Sequence, residues 1–224
     1  MARFTEIGTA VIPGKGTRLR LLQRNDEFSI KIAGTTGELM NSRIHGSEDA
    51  LATLACERIA DQPAPRVLIG GLGMGFTLAA ALSALGEDAK VTVAELVPEV
   101  EGWNRGPLGA AAGNPLNDAR ASVYIGDVAD LLRSGDGQWD AILLDVDNGP
   151  EGLTRKENNW IYSPAGIAAA QKSLSPDGIL AYWSAGPEYA FTERLRSAGF
   201  SVEAVTVRGL RPGKGAYHVI WLAW

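Results

Sequence analysis

Val67-Leu68-Ile69-Gly70-Gly71-Leu72-Gly73-Met74-Gly75 is the stretch on which the reading of this chain turns. A short apolar run ends in four glycines within six residues, and a run of small and apolar residues, Phe76 to Leu85, follows. An apolar run of this length bounded by glycine reads as a strand buried on both faces of a parallel sheet. Glycines after such a strand let the backbone turn sharply and let a ligand approach where a Cβ would block it. The helix that follows points its first N–H groups at whatever sits there. The pattern therefore predicts a strand, a glycine loop and a helix shaped for a nucleotide-type ligand. The other reading is a close strand–helix turn with no ligand.

Spacing narrows the ligand. The dinucleotide fingerprint Gly-x-Gly-x-x-Gly/Ala fails from Gly71, where Phe76 holds the third place, and from Gly73, where Leu78 does. No Gly-Lys-Ser/Thr of a phosphate-binding loop is present. What remains is the alternation Gly71-x-Gly73-x-Gly75.

The bulk numbers bound the rest. A chain of 224 residues, 46% hydrophobic and 21% charged, suits one α/β domain with a small appendage. The net charge of −5 and the absence of Lys/Arg runs give no electrostatic footprint for a nucleic-acid partner. Cys56 is the one cysteine; a disulfide framework is excluded, and a reducing, cytoplasmic setting is expected. Its place in an amphipathic stretch reads as a buried thiol. No apolar leader segment and no run of membrane-spanning length appear, so neither a signal peptide nor a membrane is expected.

Residues 1–37 read as a β-hairpin region. Thr17 to Arg24 partly alternates polar and apolar, Phe28 to Ile32 alternates cleanly, and Asn25-Asp26-Glu27 supplies the turn between them. Residues 38–224 read as a Rossmann-like domain. Ser47 is expected to cap a helix carrying Ala50, Leu51, Leu54, Ala55 and Ile59. Strands are expected at Lys90–Glu95, Ala121–Ile125, Trp139–Asp145, Ile179–Ser184, Ser201–Val207 and Ala216–Ala223, with helices between most of them and a turn at Ser175–Gly178. The last two strands are joined by a short loop and must run antiparallel, so the final strand is reversed.

Acids close several of these strands. Glu95, at the end of the second core strand, suits a ribose, since a carboxylate accepts from two hydroxyls at once; an acidic cap for the next helix is the alternative. Asp127, after the third, suits an adenine amino group or caps a helix. Asp145-Val146-Asp147-Asn148-Gly149-Pro150, after the fourth, brings carboxylates and an amide to one turn that could grip or deprotonate an amine or hydroxyl; such residues also form turns unaided. Trp160 and Tyr162, in the loop Glu151 to Ser163, could wall an acceptor pocket or pack as an ordinary lid. His45 is one of two histidines, either a general base or a structural residue near a helix cap.

This order of elements and acids resembles the class I S-adenosylmethionine (SAM) methyltransferase superfamily. More narrowly, it resembles the spermidine synthase branch, the polyamine aminopropyltransferases, over roughly residues 15 to 224. That family's N-terminal β-hairpin domain suits the first residues, and its His-Glu pair is similar to His45-Gly46-Ser47-Glu48. Its Glu-Ile-Asp-Pro run is similar to Glu95-Leu96-Val97-Pro98, its Gly-Asp to Gly126-Asp127, and its Asp-x-x-Asp-Pro-x-Gly-Pro turn to the shorter Asp145-to-Pro150 turn. Its glycine loop reads Gly-Gly-Gly-Asp-Gly, with the Asp on the donor's amino group; here Gly73 holds that place.

The resemblance implies a class I methyltransferase sheet with one reversed terminal strand and a small N-terminal β appendage. It implies that Gly71, Gly73 and Gly75 pass the methionine moiety, Glu95 holds the ribose and Asp127 the adenine. Asp145, with Asp147 and His45 as further candidates, would act on the acceptor, and Asn148, Trp160 and Tyr162 would bind it. Without the loop Asp, methyl transfer from SAM to a small-molecule amine or hydroxyl is the leading expectation. Aminopropyl transfer from decarboxylated SAM is the alternative, and a catalytically silent nucleoside- or partner-binding relative is the third. Dimerisation is common in that family, so a homodimer is allowed.

Overall fold

Alternation in the first forty residues builds an antiparallel sheet of four strands. In the computed structural model, which describes residues 3–14, 16–35, 37–146, 160–210 and 214–224, these are β1 (Thr5–Val11), β2 (Arg18–Arg24), β3 (Glu27–Ile32) and β4 (Glu38–Asn41), side by side in that order. Asn25 makes the β2–β3 turn tight by taking φ 56°, a left-handed value that Asn tolerates better than most side chains. Leu19, Leu21, Phe28 and Ile30 point inward and are buried. The sheet runs past residue 37 to Asn41, because Ile30 pairs with Met40 and Ser29 with Asn41. A four-residue strand carries too little alternation to be read from sequence.

The second sheet has seven strands: β5 (Arg66–Gly70), β6 (Lys90–Glu95), β7 (Ala121–Ile125), β8 (Trp139–Leu144), β9 (Leu174–Ser184), β10 (Val202–Arg208) and β11 (Tyr217–Ala223). Their spatial order is β10-β11-β9-β8-β5-β6-β7. Strands β5 to β9 run parallel to one another, whereas β11 is antiparallel to both β9 and β10. The reversed final strand therefore lies inside the sheet, inserted between β9 and β10. Residues Ser175–Gly178, expected as a free turn, are a bulge within β9: Trp139 pairs with Leu174 and Ala141 only with Ile179.

Helices cover both faces. Strand alternation sends Val67 and Ile69 to one face and Leu68 to the other. The first face packs on α1 (Gly46–Cys56), α2 (Phe76–Ala84) and α3 (Pro98–Arg105) through Leu51, Leu78 and Val100; the second packs on α4 (Val128–Ser134), α5 (Pro164–Ser173) and α6 (Tyr189–Ser197) through Leu132, Ile167 and Phe191. Cys56 is buried and free, as read. Ser47 does not cap α1: the helix begins at Gly46 with His45 at the N-cap, and the Ser47 hydroxyl, now inside the first turn, donates to Glu48 at 2.6 Å. Among the described residues no helix is long and apolar enough to cross a membrane.

The N-terminal sheet shares the core of the first face, and one close fit joins it to α3. The Trp103 indole on α3 lies so close to β1 that a Cβ on Gly8 would sit 2.7 Å from its Nε1. Gly8 also stands where the β1–β2 register shifts. Trp103 is buried, and replacing a buried aromatic by alanine costs about 3–5 kcal/mol. Trp103→Ala is expected to lower stability by that order in urea unfolding.

Candidate active site

The parallel ends of β5 and β8 make the glycine loop. The Gly70 carbonyl accepts from the Asp145 N–H at 2.9 Å, which draws the two chains together beyond their strands. Gly71 is left with φ 93°, and a Cβ there would fall 2.2 Å from the Asp145 carbonyl oxygen. Glycine is required at this point by the neighbouring strand itself. Gly75 has φ 83° and caps α2. Its far side meets Asn104, whose amide donates to the Gly73 carbonyl at 2.9 Å. Met40 of β4 covers the near side, 3.0 Å from where a Gly73 Cβ would be.

Glu95 ties this loop to the end of β6. One carboxylate oxygen accepts from the Leu72 N–H at 3.0 Å and the other from the Val97 N–H at 2.8 Å. The side chain is buried. Burial raises its carboxyl above the usual range against the pull of these backbone hydrogen bonds. Asp127 caps α4 by accepting from the Ala129 N–H at 2.9 Å.

A cavity of about 200 Å³ crosses these strand ends. Gly71, Gly73, Glu95, Asp127 and Asp145 line it from the seven-stranded sheet, and Ile12, Leu39 and Met40 close it from the four-stranded sheet. Gly75 is set back from the wall. The cavity holds a pair of acids. Asp145 accepts from the Thr77 hydroxyl at 2.7 Å, and burial pushes its carboxyl up to about 6. Glu48 on α1 is pushed up to about 7, first by burial and then by the charge of Asp145. Both line the cavity, and two like charges there repel until a cation arrives.

Other expected residues lie elsewhere. His45 stacks on Phe76 with 4.1 Å between ring centres, and its Nδ1 is 2.8 Å from Asp49; Phe76 lines the cavity but His45 does not. Tyr162 is buried among Tyr182 and Phe191 on the opposite face of the sheet. Trp160 lies under the Arg133 guanidinium, 4.1 Å from it. Neither aromatic reaches the cavity, because the chain at this point is already entering α5 on that opposite face. The structure thus places Trp160 and Tyr162 in packing and not in an acceptor pocket. Asp147 and Asn148 lie outside the described residues. Among the described residues no cluster of His, Cys, Asp or Glu could hold a metal.

Thr77 and Trp183 line the cavity without having been singled out in the sequence, and Glu48 was noted there only through the His-Glu resemblance. Glu48 had a signal. It stands on the apolar face of α1 with Leu51, Ala52 and Ala55, at spacings of three, four and seven. An acid on a buried stripe needs a reason.

No protein-family model matches this chain, and no curated protein does. Solved structures do match. A spermidine synthase from Thermotoga maritima superposes with TM-score 0.75 at 17% identity, covering 97% of this chain and 71% of that one. A spermidine synthase in complex with the transition state analogue AdoDATO gives 0.73 at 18%, covering 99% and 73%. The fold is that of the spermidine synthases. A probable spermidine synthase from Corynebacterium glutamicum adds a TM-score of 0.66 at 16% identity, covering 100% of this chain and 80% of its own. The spermidine synthase fold accounts for the N-terminal sheet as well as the core, since the matches span nearly the whole chain.

The acid pair has a measurable cost. A carboxyl raised above its ordinary value keeps a proton in the native state that the unfolded chain has already lost. Native stability therefore falls as pH rises from the ordinary carboxylate range to about 7, the value reached by Glu48. Glu48→Gln is expected to flatten this fall and to raise Tm at about pH 8 by about 2–4 °C, read by thermal unfolding across pH.

Proposed function

We propose that this chain is a SAM-related transferase that moves an aminopropyl group from decarboxylated SAM to an amine. The observation that carries the reading is the charge of the cavity. Glu48 and Asp145 meet on its wall, and no Lys or Arg lines it among the described residues. A donor or acceptor ammonium between these acids would relieve their repulsion. The α-carboxylate of intact SAM would add a further negative charge to a wall on which no Lys or Arg stands among the described residues. The spermidine synthase fold supports the same choice.

The described residues fit such a donor. Glu95 lines the cavity with its carboxylate fixed by the backbone N–H groups of Leu72 and Val97, and would accept from the ribose hydroxyls. Asp127 would accept from the adenine amino group. In the transfer, the neutral amine nitrogen forms a bond to the donor's propyl carbon. That carbon's bond to sulfur breaks, and its electron pair stays on sulfur as 5′-methylthioadenosine leaves. The proton that the bound ammonium must lose to become that neutral amine passes to Asp145 beforehand, and the product leaves as a secondary ammonium. Most of the acceleration would come from holding amine and donor in line. Methyl transfer from SAM is the second reading, favoured by one observation: Gly73 stands where the resembling family carries the acid that grips the donor amine.

Calorimetric titration separates the two. Decarboxylated SAM is expected to bind more tightly than SAM; the reverse order would favour methyl transfer.

Asp145 must be deprotonated to take a proton, so turnover is expected to rise with pH through about 6. Asp145→Asn should lower kcat by about 10²–10⁴-fold and abolish that rise, as measured in pH-rate profiles.

A further inference from the structure

The order of strands divides the cavity. Glu95 closes β6 and Asp127 follows β7, both on one side of the glycine loop after β5. On the other side, β8 and β9 pair in register through Leu144 and Tyr182. The next residues along, Asp145 and Trp183, therefore emerge side by side, and both line the cavity. Ligand atoms held at Glu95 and Asp127 leave this second half for the acceptor.

Its chemistry is lopsided. Glu48 and Asp145 are its charged wall residues among those described; near them stand Thr77, Phe76, Val146 and Trp183, with Leu39, Met40 and Asn41 contributed by β4. Trp183 is held by a stack on His218, 5.0 Å between ring centres, which covers one indole face. An ammonium between the acids would have its substituent directed along aliphatic and aromatic surface. A second ammonium on that substituent would lose its hydration with no further carboxylate among the described residues of this half to replace it. An alkyl or aryl body gains from the same wall.

We propose that the acceptor is a monoamine on an apolar body, an alkyl or arylalkyl amine, seated with its nitrogen at Glu48 and Asp145 and its body against Trp183 and Phe76. This rests on the amine-transfer reading above, and the balance of the transfer is unchanged: the C–N bond forms, the C–S bond breaks with its pair on sulfur, and the proton goes to Asp145.

Hexylamine and 1,5-diaminopentane have the same length and differ by a terminal methyl against a terminal ammonium at about pH 8. Titrated separately into the full chain, hexylamine is expected to bind at least tenfold more tightly. Trp183→Ala should bring the ratio close to one, and Trp183→Phe should keep it. Equal or tighter binding of the diamine overturns the proposal, as does binding of neither amine, or a preference that survives in Trp183→Ala. A donor titration run in parallel keeps the two readings apart. Amine preference without donor binding removes the transfer reading and leaves the apolar amine pocket; donor binding with preference for the diamine does the opposite.

Discussion

A single buried carboxylate organises the centre of this molecule. Glu95 accepts from the N–H of Leu72 on one side and of Val97 on the other, so the loop after β5 and the turn after β6 share one anchor. Both segments would otherwise carry backbone donors facing a cavity. A buried donor left unpaired costs about 1–3 kcal/mol, and one side chain settles two of them. The Gly70 carbonyl does the same work toward β8 by accepting from Asp145. Three adjacent strand ends are thereby held in one geometry, and the cavity is the space they leave under β4.

The same geometry explains why the acids of the cavity are poised against each other. Asp145 cannot retreat, because its own backbone is paired to Gly70 and its side chain to Thr77. Glu48 arrives on the buried stripe of α1 beside it. Packing brings the two together and hydration is not there to separate them, so the native state holds protons that water would have removed. Such an arrangement weakens the empty protein and favours a cationic ligand, a familiar exchange of stability for binding at functional sites.

Much of this was legible along the chain. Apolar runs ending in glycine or acid marked β5, β6 and β8 to within a residue of where they fall, because strands in the middle of a parallel sheet are covered on both faces; the edge strand β7 is partly exposed. The reversal of β11 followed from the length of its connection. Less legible were features that depend on what lies opposite. Ser47 has the chemistry of a cap, yet α1 starts two residues earlier than that cap would give, at Gly46, whose N–H donates to the Gly209 carbonyl of the β10–β11 hairpin. Trp160 and Tyr162 have the chemistry of a pocket wall, yet the helix they lead into lies on the far face, where Tyr182 and Phe191 enclose the tyrosine.

By itself the amino-acid sequence determined the alternation of strands and helices, the glycine turn and the positions of Glu95, Asp127 and Asp145 at strand ends. These follow from periodicity and from backbone freedom, which are local. Tertiary structure alone decided which acids meet. Glu48 and Asp145 are ninety-seven positions apart (145 less 48), and no local rule relates them. They share one cavity because α1 packs across the face of the sheet on which β8 ends. The lid over them is equally non-local: β4 reaches the glycine loop through Met40 because the N-terminal sheet is fastened to α3 by the fit of Trp103 against Gly8.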